Sequence, residues 1–534
     1  MREPAARLPA APGVASLAER REEEKRGGVY WPRVARWIYQ AFFLALFLAA
    51  LTAMTAEGVR RVPVTWLFQL DPLTAAVALL ASWSLTAALA WSLAIVLLTV
   101  LAGRAFCGWI CPLGTILQLA SWATRRLRRG PATEHNRWRP HFAIKYLLLV
   151  AVLAAASLGA GIAGLFDPLS LFARSLGSGL SPALHQLVGM GGWRARIFTG
   201  AWLTGLIFLA VLVANRWIAR WWCRALCPLG ALLGLIARAS IGRIRIDPAR
   251  CTHCDRCAAD CQGADEPFAS HRVSECHVCL NCIASCPEDA IAFRALAPEG
   301  APRGGVDLPR RRWLGAAAAG IALVPLLRAS SHSLAQPGPL AIRPPGALPE
   351  AAFLATCVRC GACVNACPTS ALQPALGEAG MEGLYTPVLV ARQGWCEPSC
   401  VLCGQVCPTG AIHPLTAAEK GWTGEAGKGI RIGTAFFDQG RCLPWGMNVP
   451  CIVCQEVCPT SPKAIWLEEV TAIDRAGQPV RLQRPRIEPG LCVGCGLCEA
   501  KCPITDIAAV RVTRIGESRE AGSSFRLGAA AARS

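Results

Sequence analysis

Residues 276–287 read Cys276-His277-Val278-Cys279-Leu280-Asn281-Cys282-Ile283-Ala284-Ser285-Cys286-Pro287. Three cysteines two residues apart, a fourth three residues further on and a closing proline make the spacing that binds [4Fe–4S] clusters. Tight turns bring the first three thiolates onto three irons of one cluster, while the remote fourth reaches across to a neighbour. The neighbour lies just upstream, where Cys251, Cys254, Cys257 and Cys261 repeat the spacing without the final proline. The pattern assigns Cys251, Cys254, Cys257 and Cys286 to one cluster, and Cys276, Cys279, Cys282 and Cys261 to the other.

Four more groups follow. Cys357, Cys360, Cys363 and Cys367 precede Pro368, and Cys492, Cys495, Cys498 and Cys502 precede Pro503. Two inner groups are stretched at the start: Cys396, Cys400, Cys403 and Cys407 before Pro408, and Cys442, Cys451, Cys454 and Cys458 before Pro459. Regular groups outside and stretched ones inside suggest that the first pairs with the fourth and the second with the third; sequential pairing uses the same ligands. The six groups take 24 of the 28 cysteines and predict six clusters. Zinc needs only four ligands per site and gives no reason for the fourth Cys-Pro. Thiols two residues apart cannot bridge usefully as disulfides.

The other four cysteines sit in Cys107-Gly108-Trp109-Ile110-Cys111-Pro112-Leu113-Gly114 and Cys223-Arg224-Ala225-Leu226-Cys227-Pro228-Leu229-Gly230. Each motif follows an Asp-Pro-Leu, at Asp71-Pro72-Leu73 and Asp167-Pro168-Leu169, so the region reads as a duplicated helical hairpin. Cys-x-x-x-Cys-Pro is the tail half of a cluster run. These four cysteines could hold a seventh cluster, act as redox-active thiols, or pack as small apolar residues. Asp71 and Asp167 could accept protons from a quinol, but Asp before Pro is also how a helix begins, and the cap is the favoured reading.

Composition puts this region in a membrane. Hydrophobic residues make up 53% of the 534 residues, mean hydropathy is +0.37, and charged residues are only 17%. Apolar stretches near 37–56, 74–103, 142–165 and 197–215 predict four spanning helices, flanked by Trp37, Trp217, Trp221 and Trp222. The net charge of +19 is largely a topology signal. Arg125, Arg126, Arg128, Arg129, Arg137, Arg139 and Lys145 lie between the second and third stretches; Arg216, Arg220, Arg224, Arg238, Arg243 and Arg245 follow the fourth. The opposite loops carry only Arg60, Arg61, Arg174, Arg194 and Arg196, which puts both ends of the bundle in the cytoplasm and removes nucleic acid as a partner. His141 and His185 alone lie near the stretches, so paired axial ligands for haem are not apparent. Neither Cys-x-x-Cys-His nor a dinucleotide-binding glycine pattern occurs.

The expected organisation is a membrane α-helical bundle with two α+β iron–sulfur domains: a cytoplasmic tail at 1–36, four spans over 37–245, a two-cluster domain at 246–295, a linker at 296–350, a four-cluster domain at 351–510 and a disordered tail at 511–534. Within the linker, Pro309-Arg310-Arg311-Arg312-Trp313-Leu314-Gly315 and the apolar run to Leu327 resemble a twin-arginine export signal. The run is shorter than an ordinary span, as a signal segment should be, and Ser333-x-Ala335 offers a cleavage site.

On these motifs residues 1–295 resemble the NapH membrane ferredoxins, and 310–510 resemble the NapG/MauM exported polyferredoxins. The chain looks like a natural fusion of the two. The resemblance implies oxidation of membrane quinol and relay of electrons through [4Fe–4S] clusters to a periplasmic reductase, such as nitrate reductase, or its cytochrome c subunit. It implies a bacterial inner-membrane protein with 246–295 in the cytoplasm and 351–510 in the periplasm. NosR- and CcoG-like proteins share the membrane motifs, and they imply the alternative of a maturation factor for a partner's metal site. Six clusters in series favour the relay.

Overall fold

The computed structural model describes residues 31–54, 58–59, 65–83, 87–124, 132–180, 198–265, 271–295, 308–333, 341–422, 429–473 and 477–519. Arg60, Arg61, Arg125, Arg126, Arg128, Arg129, His185, Arg194, Arg196, Ala335, most of the 1–36 tail and most of the 511–534 tail lie outside them.

Three helices are long and apolar enough to cross a membrane: Pro32–Thr52, Pro140–Ser157 and Arg310–Ala329. Pro72–Ser82, Leu89–Ala102, Ala201–Ala214 and Pro228–Ala237 are shorter. The expected second span therefore divides. Asp71 and Pro72 start one helix, Trp83 in left-handed backbone (φ 53°) stops it, and a second begins near Leu89. The expected short signal segment is also different. It forms one helix over Arg310–Ser333, with Pro325 inside, and ranks among the three long ones.

The two cysteine-rich regions sit at opposite ends of the bundle. At one end, here proximal, Arg33 and Arg36 of the first helix reach Asp260 and the Cys279 carbonyl, and Lys145 meets Glu275. At the other, distal end, Arg328 pairs with Glu382 and donates to the Leu158 carbonyl at 3.1 Å. The Ile144–Ser157 helix thus runs from proximal to distal, about 21 Å at 1.5 Å per residue. Arg310–Ser333 runs parallel to it, with Gly320 against Ala151. Ala201–Ala214 runs the other way, from Thr199 at Gln373 to Asn215 at Leu117.

Four helices begin inside the bundle, each at an Asp-Pro or Cys-Pro step: Pro72–Ser82, Pro112–Ala123, Pro168–Arg174 and Pro228–Ala237. Proline suits a first turn because its missing N–H would have no partner there. The following leucines, Leu73, Leu113, Leu169 and Leu229, are all buried in one core that continues to Phe353 and Val510 of the distal domain. Outside, Trp37, Phe42, Trp91, Leu97, Trp122, Trp202, Leu209 and Leu314 leave large apolar surfaces exposed around the helices, a face suited to lipid rather than water.

Among the described residues every sheet is an antiparallel pair. Gly242–Ile246 pairs with Ile291–Ala295 and closes the proximal domain. In the distal domain Leu372–Pro374 pairs with Pro387–Leu389, Thr434–Phe437 with Val510–Thr513, and Ile465–Ile473 with Pro479–Ile487.

Candidate iron–sulfur centres

In each regular group the residues just before and just after the second cysteine take left-handed backbone. They are His253 and Asp255, Val278 and Leu280, Arg359 and Gly361, and Gly494 and Gly496. Two such residues curl the chain around a point, which is how three thiols six residues apart in total come to face one another. The same curl turns N–H groups inward, so Cys357 accepts from Arg359 and Cys492 from Gly494. Glycine supplies this conformation freely. Arg359 adopts it at φ 52° while its guanidinium donates to the Leu384, Glu382 and Gly161 carbonyls, which offsets the strain.

The structure brings Cys251, Cys254, Cys257 and Cys286 around one pocket. Cys261 lies with Cys279 and Cys282, and Cys276 beside the same two. Both sets are those read from the spacing. In the distal domain the arrangement is sequential, not first with fourth. Cys357, Cys360 and Cys363 share a pocket with Cys407, while Cys367 faces Cys396, Cys400 and Cys403. Likewise Cys492, Cys495 and Cys498 share a pocket with Cys458, and Cys502 faces Cys442, Cys451 and Cys454. The stretched gaps are closed locally. Leu443–Gly446 makes a helical turn in one. In the other, buried Lys420 donates to Cys396 Sγ at 3.4 Å and to the Glu397 and Cys400 carbonyls.

The donor sets fit [4Fe–4S] clusters. Each is four thiols, buried or half-buried except for exposed Cys254, and N–H donors face sulfur at Cys357 and Cys492. Burial pushes the Cys360 and Cys495 thiols up to about 12, so they ionise only against a bound cation. Among the described residues no three such side chains close on a single metal ion; a cubane needs a wider ring, because each thiolate binds a different iron.

The groups also line up. Trp109 Nε1 of the bundle donates to the Val278 carbonyl at 2.9 Å, which seats the Cys276 group against the helices. At the distal end Arg174 Nη1 donates to the Arg359 carbonyl at 3.0 Å, beside Cys360. Cys396 N donates to the Cys495 carbonyl at 2.8 Å, joining the second distal group to the fourth.

Between the ends lie the four bundle cysteines. Cys111 and Cys227 are the N-caps of Pro112–Ala123 and Pro228–Ala237, and Cys227 Sγ accepts from Gly230 N at 3.2 Å. A π-turn over Phe106–Ile110 sets Cys107 one turn away. Cys111, Cys223 and Cys227 are buried, Cys107 half-buried, and all four lie near one another. Asp71 and Asp167 are helix caps: Asp71 accepts from Leu73 N at 2.9 Å and Thr74 Oγ1 at 2.7 Å, and Asp167 from Ser170 N at 2.7 Å. They also face each other, with Asp167 near Cys111 on one side and Arg174 on the other. On the proximal side His277 is fully buried; burial, reinforced by Arg104, Arg220, Lys145 and Arg224, holds its imidazole well below the ordinary value and neutral. The sequence reading takes Lys145, Arg220 and Arg224 as topology signals and passes over Arg104. The usable signal was an arginine three residues before each bundle cysteine pair, Arg104 and Arg220.

Known proteins agree with the cysteine chemistry. The 4Fe-4S binding domain family matches residues 84–131 and 198–247, one around each bundle pair, and a second 4Fe-4S binding domain family matches 354–373. The methylamine utilization ferredoxin-type protein MauM of Methylorubrum extorquens is 39% identical over 197 residues, 36% of this chain and 80% of the relative. The ferredoxin-type protein NapG of Escherichia coli is 34% identical over 215 residues, 40% of this chain and 87% of the relative. The putative electron transport protein YccM of Escherichia coli is 31% identical over 206 residues, 38% of this chain and 54% of the relative. No solved structure matches. With four-fifths or more of MauM and NapG covered, and with 4Fe-4S domains in both halves, the chain belongs to the MauM/NapG family of ferredoxin-type iron–sulfur electron-transfer proteins.

Proposed function

We propose that this chain is a membrane-crossing electron relay, fed by quinol and emptied into a periplasmic redox protein. Its bundle half plays the part of a NapH-like membrane ferredoxin fused to a NapG/MauM-like domain. The observation that carries the reading is the position of the four bundle cysteines between two iron–sulfur domains at opposite ends of the helices. When bound, the [4Fe–4S] clusters supply one-electron transfer along the chain, which suits the one-at-a-time removal of two electrons from a quinol. The 24 cysteines of the six groups hold six of them. The protein's own part is to fix the loops through left-handed turns, to aim N–H groups at the sulfurs, and to bury the sites away from water.

Sidedness follows the charge. Lys145, Arg224 and the two-cluster domain share the proximal end, which we assign to the cytoplasm on the basic residues of the sequence there, and residues 351–510 take the periplasm. Arg310 and Arg311 stand at the proximal start of a helix that ends at the distal domain, as an export signal retained as an anchor would. Asp167, buried beside Cys111, and Asp71, which faces Asp167, stand ready to take quinol protons.

Two measurements test this. Reduced menaquinol or ubiquinol analogues should bleach the cluster absorbance of membranes holding the protein, and Cys107→Ser or Cys227→Ser should slow the bleaching at least tenfold. No reduction by any quinol would end the quinol reading. Protease added to spheroplasts should remove residues 351–510 from wild type but not from Arg310→Lys with Arg311→Lys; a wild-type domain that stays protected would put all the clusters in the cytoplasm.

A further inference from the structure

The duplicated motif is longer than its cysteines. Arg104-x-x-Cys107 and Arg220-x-x-Cys223 carry an arginine at the same place in both halves. Both side chains are buried, at 0% and 1% exposure. Each crosses to the other half. A Cβ on Gly230 would stand 2.8 Å from Arg104 Nη2 and 3.4 Å from Cys227 Sγ. A Cβ on Gly114 would stand 3.9 Å from Arg220 Nη1, and that nitrogen donates to the Cys107 carbonyl at 3.2 Å. Gly230 thus makes room for Arg104, while Gly114 makes room for the Cys107 carbonyl to which Arg220 donates.

These guanidiniums lack the partners that buried charge requires. Arg104 Nη1 donates to the Ser274 carbonyl at 2.6 Å and lies 3.7 Å from Glu275. Glu275 is already in contact with buried Lys145 and accepts from Tyr146 at 2.9 Å. Arg220 Nη2 donates to Gln118, a neutral group, at 2.7 Å. Arg104 Nε and Nη2 and Arg220 Nε have no hydrogen-bond partner among the described residues. Arg36 and Arg224 face the proximal loops instead, donating to the carbonyls of Cys279, Cys261 and Gln262. Among the described residues, Arg104, Lys145 and Arg220 against Glu275 leave two buried positive charges without a counter-charge, an arrangement that costs several kcal/mol per ion unless an anion sits among them. The N-termini of Pro112–Ala123 and Pro228–Ala237, opening at Cys111 and Cys227, add positive partial charge at the same place.

A cubane with four thiolates is a dianion when oxidised and a trianion when reduced. We propose that Cys107, Cys111, Cys223 and Cys227 together hold a seventh [4Fe–4S] cluster, two ligands from each half, and that Arg104 and Arg220, each reaching over the other half's turn, are its counter-charges. The inference deepens the relay reading by naming the site through which it crosses the bundle, but its iron is counted separately from any donor. The oxidised unit is neutral. Loss of one arginine leaves the oxidised form with an unbalanced negative charge and makes the added electron harder to accept, so the potential falls.

The full chain, purified anaerobically in detergent, should carry about 28 iron atoms, and Cys107→Ser about 24. Wild type with about 24 overturns the proposal on its own, whether or not Cys107→Ser assembles. In EPR-monitored redox titration, Arg104→Gln and Arg220→Gln should each move one cluster to lower potential, or lose it with four irons, while the other six titrate unchanged. Arg104→Lys and Arg220→Lys should recover most of the shift, which a purely structural role would not predict. Gln variants with full iron and wild-type potentials overturn the clasp. A protein with about 28 irons that no quinol reduces would sink the quinol reading and leave the seventh cluster standing.

Discussion

The two iron–sulfur domains are seated on the bundle by opposite arrangements. At the proximal end the bundle brings the cations and the cysteine loops bring the acceptors: Arg104 to Ser274, Lys145 to Glu275, Arg224 to Cys261 and Gln262. At the distal end each side gives one arginine to the other's backbone, Arg174 to the Arg359 carbonyl and Arg359 to the Gly161 carbonyl. Neutral carbonyls satisfy the distal pair. The proximal pair includes a true counter-ion, Glu275, and removing it strands charge. The proximal domain is therefore tied to the bundle by buried ions, whereas the distal domain shares the bundle's apolar core and is pinned by neutral carbonyls.

Glu275→Gln should break the comparison hardest. It leaves Arg104 and Lys145 buried with no carboxylate, at a cost of about 3–5 kcal/mol. Denaturant unfolding followed by cluster absorbance would read it, and adding Lys145→Met should return much of the loss. Gly164→Ala comes next. Its Cβ would stand 1.7 Å from the Val358 carbonyl oxygen, so the distal seat must open; overpacking of this kind costs about 1–3 kcal/mol. Limited proteolysis should then release residues 341–519 while the proximal domain stays protected.

The smallest effect belongs to Glu350, which ties Arg343 at 2.6 Å to Arg519 at 2.8 Å within the distal domain. Burial alone would raise its carboxyl, but the two guanidiniums outweigh this and hold it below the ordinary value. Its stabilisation is complete above the ordinary carboxylate range and is lost as pH falls through the lowered value. Glu350→Gln should cost at most about 2 kcal/mol at neutral pH, because Arg343 keeps Thr386 and the Pro387 carbonyl and Arg519 keeps Glu517. It should also remove that part of the acid limb in melts from pH 7 downward, without changing docking to the bundle.

The six cluster groups were legible because their geometry is local: a Cys-x-x-Cys-x-x-Cys run carries its turns with it, as His253, Asp255, Val278 and Leu280 illustrate. The pairing of the distal groups was not. All pairings use the same ligands, and regular groups outside with stretched ones inside suggested like pairing with like where the structure pairs neighbours in sequence, the smaller entropic cost. The bundle count was blurred for a related reason. An apolar run over 74–103 has the length of one span, but the Asp71-Pro72 start and the turn at Trp83 divide it. The bundle tetrad was half legible. Duplication revealed the cysteines, but of the arginines three residues earlier Arg220 looked like one more basic, membrane-orienting residue and Arg104 drew no reading.

The Arg310–Ser333 helix lies along Ile144–Ser157 and meets the distal domain through Arg328 and Glu382. It makes the encounter of that domain with the bundle intramolecular. A separate subunit would fill the same seat, where Phe353 continues the bundle core and Arg174 and Arg359 reach across, only as far as its concentration allowed. A tethered one faces its seat at an effective concentration of about millimolar, so a modest interface suffices for near-full occupancy. The seat need not be tight, and the domain can lift and re-dock faster than a free partner could find it. Cutting the tether would turn a fixed occupancy into one that falls with dilution.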